Sequence, residues 1–269
     1  MRSITLILQI LMSLSYNSAS MAEVVFDEIR SKAIINAINA KVRLPSEKMR
    51  DTDRKPYEVM KFSLIKPGDH VVEITPGEGY YTALLSRVVG EKGKIHAVDP
   101  ARAFKALPRI RHFFPNYIKR DPRNNVEYSI QNLDEIQIPE NLDQIWMVLY
   151  YHDTIWTEEN RMAMNAAFFK HLKPGGVFLV IDHYALQGAI DSVTRSLHRI
   201  DADIVMSEVQ SAGFILDASS DVLAHPEDPR TDSVFELNRR GKTDRFVWRF
   251  KKPHNDSSDF SQNRSQITN

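Results

Sequence analysis

Two pairs of neighbouring histidine and aspartate residues are the side chains of this sequence best suited to acid–base catalysis. His152 and Asp153 follow the apolar run "LDQIWMVLYY", and Asp182 and His183 end the run "VFLVIDH". A neutral imidazole can act as a general base near pH 7, and a carboxylate can orient it. The same side chains are ligands for zinc, manganese or iron, but no H-x-H or H-x-x-x-H spacing occurs. We therefore assign no metal and predict proton transfer with His152 as the base and Asp153 or Asp182 orienting it, while a metal site that also includes His198 stays open as the other interpretation.

A glycine-containing turn is the second place where chemistry is expected. In "VVEITPGEGYYTALLSRVVG", residues 71–90, an apolar run crosses a turn with Gly77 and Gly79 and enters an amphipathic segment. A dinucleotide-binding fold requires G-x-G-x-x-G at this point. Here Thr82 replaces the third glycine, and Glu78 would bring negative charge beside a pyrophosphate. The turn therefore fits a nicotinamide dinucleotide poorly.

The same turn resembles motif I of the class I S-adenosylmethionine-dependent methyltransferases, in which an acidic residue ends the first strand and glycines follow at alternate positions. Thr75 stands where the first of these glycines is usual. S-adenosylmethionine carries an ammonium, a carboxylate and a sulfonium but no phosphate, so an acid and a closely approaching backbone suit it. The resemblance implies S-adenosylmethionine as cofactor, bound in this turn by Glu73, Thr75, Gly77, Gly79 and Tyr80.

Two later segments extend the resemblance. The run "KIHAVDP" places Asp99 where an acid would accept hydrogen bonds from both ribose hydroxyls. The segment "QNLDEI" makes Asn132 and Leu133 candidates for contact with the adenine ring. The chain is also similar to a subgroup of predicted bacterial methyltransferases that often carry signal peptides, in the stretches "YYHDTIW", "KPGGVFLVIDH", "LHRIDADIV" and "SDVLAHPEDPR".

The elements that must position these residues alternate along the chain. Apolar strands followed by helices predict an α/β fold, a doubly wound, Rossmann-like, mostly parallel sheet of seven strands with helices on both faces. We assign residues 62–252 to this single domain, 23–61 to an N-terminal helical cap and 253–269 to a polar, disordered tail. Such a sheet binds ligands outside the carboxyl ends of its strands. Both histidine–aspartate pairs are therefore expected beside the methyl donor.

The predicted reaction is in-line methyl transfer to a small-molecule acceptor. The Asn/Asp-Pro-Pro-aromatic motif of amino-methylating enzymes is absent, and the formal net charge is zero, so a nucleic acid is not expected as substrate. Charge runs such as "RKP" at 54–56 indicate solvated faces. Candidate substrate residues are Tyr151, His198 and Arg199; a surface ion pair with Asp201 or Asp203 is the other interpretation of Arg199.

The N-terminus predicts export. Residues 1–22 combine Arg2, an apolar core and small residues, the layout of a secretory signal peptide. The mature protein would then be periplasmic or secreted, with no stable membrane anchor, whereas a start at Met21 would leave it cytoplasmic. The absence of cysteine excludes disulfides, thiolate metal sites and cysteine nucleophiles. The oligomeric state is left open.

Export conflicts with use of a cytoplasmic cofactor, and this conflict keeps a second hypothesis open. The chain could be a non-catalytic protein of the same fold that binds S-adenosylmethionine or another nucleoside. An NAD-linked oxidoreductase is a third hypothesis, disfavoured by Glu78 and Thr82.

Overall fold

The computed structural model describes residues 24–254. The predicted signal peptide lies outside this range, and so do all but the first two residues of the predicted tail. A helix covers residues 24–38 (α1), and the rest of the N-terminal region contains α2 Pro45–Met49, α3 Asp51–Arg54 and α4 Pro56–Ser63. Across the described residues, no helix combines the length and apolarity that crossing a membrane would require.

A seven-stranded sheet forms the centre of the molecule. Its strands are β1 His70–Ile74, β2 Lys94–Pro100, β3 Val126–Gln131, β4 Leu142–Val148, β5 Leu172–His183, β6 Ile215–Ser220 and β7 Arg245–Lys251. Their order is β3-β2-β1-β4-β5-β7-β6; β7 pairs antiparallel with β5 and β6, and the other pairs are parallel. The predicted doubly wound, mostly parallel fold is confirmed. The order reverses between β1 and β4, so a crevice is expected at the carboxyl ends of these two strands.

Helices cover both faces of the sheet. They are α5 Tyr80–Val89, α6 Ala101–Ala106, α7 Phe113–Arg120, α8 Asp153–Trp156, α9 Arg161–His171, α10 Ser192–Leu197 and α11 Ala202–Ser211. Along β1, Val71 belongs to the hydrophobic cluster that contains residues of α1, α4 and α5, whereas Val72 and Ile74 belong to the cluster that contains residues of α9 and α11. The strand side chains therefore alternate between two cores, and the N-terminal helices belong to one of them.

Two predicted element boundaries are wrong. The segment "KPGG" is expected from its residue types as a turn before β5, but Lys173 to Gly176 lie within β5 as an irregularity in its pairing with β4. Thr157 is expected to cap the helix α9, but α9 is capped by Asn160, whose side chain accepts a hydrogen bond from the backbone of Ala163. Thr157 instead follows the last residue of α8, and its hydroxyl donates to the carbonyl of Asp153 in the first turn of that helix.

The glycine turn is fixed by a close approach between helices. Gly79 has φ +79°, a left-handed conformation that favours glycine, and it is the N-cap residue of α5. A Cβ at this position would lie 2.3 Å from the ring of Tyr117 on α7. Gly79 therefore lets α7 pack against the start of α5.

The substitution Gly79→Ala tests this packing against a matched control. Gly68 has φ +89°, and a Cβ added there would meet no atom within 4 Å. We therefore expect Gly68→Ala to lower the free energy of unfolding by about 1–2 kcal/mol through backbone strain alone. Gly79→Ala should lose about 1–3 kcal/mol more because of overpacking. Urea unfolding of both variants measures the difference; equal losses would contradict the close approach.

A buried ion pair anchors the long connection between β6 and β7. The fully buried guanidinium of Arg199 pairs with Asp228 at 2.8 Å and also donates to the carbonyls of Tyr184 and Asp232. Asp228 additionally accepts a hydrogen bond from the backbone of Asp244. Both interpretations of Arg199 from the sequence are corrected: it is neither free to bind a substrate nor paired on the surface.

Removing one member of this pair should be costly. Arg199→Met leaves the Asp228 carboxylate buried without its partner, which should lower the free energy of unfolding by about 3–5 kcal/mol. Adding Asp228→Leu should recover part of this loss. The control, Lys94→Met, disrupts a pair with the exposed Glu127 and should change stability by less than about 1 kcal/mol. If Arg199→Met were as stable as the control in urea unfolding, Arg199 would not anchor the connection.

Candidate functional site

A cavity of about 730 Å³ opens at the carboxyl ends of β1, β2, β4 and β5. One part is lined by residues of the glycine turn and of β2, and the other by residues that follow β4 and β5. Of the residues predicted from the sequence, the cavity wall contains Glu73, Thr75, Gly77, Tyr80, Asp99, His152, Asp153, His183 and His198. The structure therefore brings most of the predicted cofactor residues together with most of the predicted catalytic residues.

Glu73 is held at the end of β1 by the first turn of α5. The buried Thr82 hydroxyl donates to its carboxylate at 2.5 Å. Burial raises the pKa of Glu73 to about 7, and nearby Asp99 adds to the rise, while the Thr82 bond and the charge of Arg54 oppose it. Thr82 occupies the position of the third glycine in dinucleotide-binding turns. A glycine there could not donate the hydrogen bond that holds Glu73.

The turn itself leaves space for a ligand. Thr75 and Gly77 both have φ +56°, and the Thr75 hydroxyl bonds to the carbonyl of Ile74 at 2.6 Å. A Cβ at Gly77 would have no neighbour within 4 Å. The left-handed conformation of Thr75 accounts for the glycine expected at that position. Gly79 supports the turn from outside the cavity wall.

Asp99 is the acidic residue at the end of β2. It is buried, lines the cavity, and accepts a hydrogen bond from the Tyr128 hydroxyl at 2.9 Å. Burial raises its pKa to about 6. Asn132 and Leu133, predicted to contact adenine, do not join this group: the Leu133 side chain is part of the hydrophobic core, and neither residue lines the cavity.

The N-terminal cap contributes to the site, which sequence analysis missed. Arg54 lies over the rings of Tyr80 and Tyr81, 4.6 Å and 5.6 Å from the ring centroids, and lines the cavity beside Glu73. The interpretation of "RKP" as a solvated face is therefore wrong for Arg54. Its position depends on the packing of the cap against α5, and no pattern near Arg54 encodes that packing.

His152 is held from both sides. Its Nδ1 atom lies 2.7 Å from Asp182, which also accepts hydrogen bonds from the backbone N–H groups of His152 and His183. Its Nε2 atom lies 3.0 Å from Asp153 and 3.2 Å from Nδ1 of His198. Asp182 is fully buried behind the histidine, so it orients the ring but does not line the cavity.

These charges set different protonation states for the two histidines. Burial lowers the pKa of His152, but the carboxylates of Asp182 and Asp153 outweigh it and raise the pKa to about 10. Burial and neighbouring cationic groups hold the pKa of His183 well below its usual value, and its Nδ1 lies 2.9 Å from the Thr243 hydroxyl. His183 is therefore the neutral imidazole near pH 7, whereas the sequence predicted this state for His152.

Tyr151 turns away from the cavity. Its side chain is fully buried, its hydroxyl donates to Glu208 at 2.8 Å, and it accepts a hydrogen bond from Asn165 at 2.7 Å. The substrate role predicted for Tyr151 is corrected, because both partners lie on α9 and α11. The neighbouring Tyr150 faces the cavity instead.

Aromatic groups from distant segments close the far end of the cavity. Trp156 on α8 lines it, and Arg195 on α10 lies over the indole ring at 5.7 Å. Phe235, from the connection between β6 and β7, packs its ring 4.7 Å from that of His198. Phe235 belongs to no recognisable motif, so its role could not be found from the pattern of its neighbours.

Comparisons with known proteins agree with this architecture. Residues 55–126 match the family model of protein-L-isoaspartate(D-aspartate) O-methyltransferase. A ubiquinone/menaquinone biosynthesis C-methyltransferase UbiE from Teredinibacter turnerae is 22% identical over 82% of this chain and 84% of its own length. A relative of the same name from Vibrio vulnificus is 26% identical over 44% of this chain, and the match spans only 42% of that protein.

The fold is shared with a solved S-adenosylmethionine-dependent methyltransferase from Aquifex aeolicus. The TM-score is 0.54 and the identity 21%, with 78% of this chain and 99% of that chain covered. The matched family model spans β1, the glycine turn, α5 and Asp99 at the end of β2. The chain therefore shares the fold of the S-adenosylmethionine-dependent methyltransferases and is similar to methyltransferases in sequence around the glycine turn.

Proposed function

We propose that this protein transfers a methyl group from S-adenosylmethionine to a small-molecule acceptor in the cavity at the carboxyl edge of the sheet. The observation that carries the proposal is the convergence of Glu73, Gly77 and Asp99 on one end of a cavity whose other end contains His152 and His183. A volume of about 730 Å³ lies in the range of small-molecule sites.

Each polar part of the cofactor has a matching group. Asp99 supplies two carboxylate oxygens for the ribose hydroxyls. The open space at Gly77 allows the ligand to approach the backbone. Glu73 suits the ammonium, and Arg54 suits the carboxylate, because its guanidinium lines the cavity close enough to Glu73 to act on the charge of that carboxyl.

The far end of the cavity suits an acceptor of limited size. Trp156 and Phe235 offer apolar surfaces, and His183 offers a neutral imidazole within the same wall. In-line displacement at the sulfonium methyl requires a nucleophile that is held in a fixed direction and kept from water. A position between the glycine turn and Phe235, inside the cavity wall, would hold the acceptor beside the methyl donor.

Ligand binding tests the proposal. Calorimetric titration with S-adenosylhomocysteine should give micromolar binding, and Asp99→Asn should weaken it about tenfold or more, since hydrogen bonds to a charged acceptor contribute about 1.5–3 kcal/mol. The matched control is Asp217→Asn, on β6 and outside the cavity wall, which should bind as the wild type does. Preferential binding of NAD, or no binding by folded wild-type protein, would overturn the proposal.

The affinity should also depend on pH. Asp99, with a pKa of about 6, and Glu73, with a pKa of about 7, must be ionised to accept the hydroxyls and the ammonium. Binding should therefore be strongest above about pH 7 and weaken as the pH falls towards about 5, by up to about tenfold per unit for each carboxylate. In Asp99→Asn, the part of this loss that is due to Asp99 should disappear. An affinity that is constant between about pH 8 and about pH 5 would show that neither carboxylate contacts the ligand.

A further inference from the structure

We propose that His152, Asp153 and His198 bind a divalent transition-metal ion at the acceptor end of the cavity, with Asp182 as the residue that orients His152. Three potential ligand atoms meet there: Nε2 of His152, Oδ1 of Asp153 and Nδ1 of His198. All three residues line the cavity. The sequence prediction assigned no metal to this protein.

The distances between the three atoms suit a shared ion. They are 3.0 Å from His152 to Asp153, 3.1 Å from His198 to Asp153 and 3.2 Å between the two histidines. Neighbouring ligands that surround an ion at about 2.0–2.2 Å lie about 2.8–3.1 Å apart in octahedral geometry and about 3.3–3.6 Å apart in tetrahedral geometry. The observed triangle therefore needs little movement to become one face of a coordination sphere.

The hydrogen bond between His152 and Asp182 is of the kind that orients metal-binding histidines. Asp182 fixes the Nδ1 side of the ring, and two backbone N–H groups in turn fix Asp182. This leaves Nε2 directed at Asp153 and His198. A carboxylate behind a ligating histidine sets its orientation and raises its basicity, and its loss typically costs 10–100-fold in metal affinity.

The donor set indicates which ions would bind. Two imidazole nitrogens and one carboxylate oxygen suit zinc, iron(II), cobalt(II) or manganese(II), whereas magnesium and calcium prefer oxygen ligands. Three protein ligands leave coordination positions open, as in catalytic zinc sites. Because the three residues line the cavity, the open positions face the space where an acceptor would sit.

The ligands are too far apart in the sequence to form a recognisable motif. His198 lies 46 residues from His152 and follows a different strand. It ends α10 in a left-handed conformation, with φ +53°, and its ring packs against Phe235 and Trp156. Neighbouring segments thus hold the imidazole beside Asp153.

Titration of the full chain with cobalt(II) in the absence of any nucleoside tests the site. The wild type should bind a single ion and develop visible d–d absorption, which zinc should abolish by competition. His198→Ala, at a half-buried position that tolerates truncation, should weaken cobalt binding at least about tenfold, and Asp182→Asn by about 10–100-fold. His70→Ala, at an exposed position at the amino end of β1, should bind as the wild type does.

Two outcomes would overturn the proposal. The first is the absence of cobalt and zinc binding to wild-type protein that circular dichroism shows to be folded. The second is unchanged binding in a folded His198→Ala variant, which would place the ion elsewhere. Because the titration contains no cofactor or acceptor, either result is independent of whether the protein transfers methyl groups.

Discussion

The hydrogen bond from Thr82 to Glu73 is the interaction on which the cofactor end of the site depends. It connects the end of β1 to the first turn of α5 across the glycine turn, with both groups buried. With these two ends joined, the intervening backbone is confined to left-handed conformations at Thr75, Gly77 and Gly79. That path opens a space beside Gly77 and allows α7 to approach at Gly79. The shape of the cofactor end of the cavity follows from this local geometry.

The other end of the cavity depends on a buried charge. Asp182 is fully enclosed at the end of β5, where an isolated carboxylate would be costly. His152 and two backbone N–H groups satisfy it. This requirement fixes the direction of the imidazole, whose Nε2 atom then points at Asp153 and His198. The cofactor end and the acceptor end are therefore positioned by separate strand ends that the sheet holds side by side.

Local patterns predicted the sheet and the glycine turn well. β1 and α5 lie where the sequence has its apolar run and its amphipathic segment, because a short buried run, a turn with two glycines and a helix that ends at Gly90 are encoded by neighbouring residues. Asp99 was found because the distance from the turn to the next strand end is constrained by the fold. The signal peptide and the export that it implies stay predictions.

Features that depend on distant segments could not be predicted. Leu149 has φ +58°, which ends the extended conformation of β4. Side chains therefore no longer alternate between the two faces at Tyr150 and Tyr151, and the burial of Tyr151 cannot be predicted from its place in the sequence. The partner of Arg199 lies 29 residues away in an irregular connection. Arg54 reaches the cavity only because the N-terminal helices pack on α5. In each case the side chain is positioned by a contact with a segment that is distant in the sequence, so no local pattern encodes it.

A crystal structure of the protein with S-adenosylhomocysteine would test the central claim most directly. We predict that the ribose hydroxyls donate hydrogen bonds to Asp99 and that the ligand lies against the protein backbone at Gly77. The thioether sulfur should point towards the end of the cavity that contains His152 and His183. Ligand bound outside this cavity, or in it with the ribose remote from Asp99, would contradict the assignment of the glycine turn as the cofactor site.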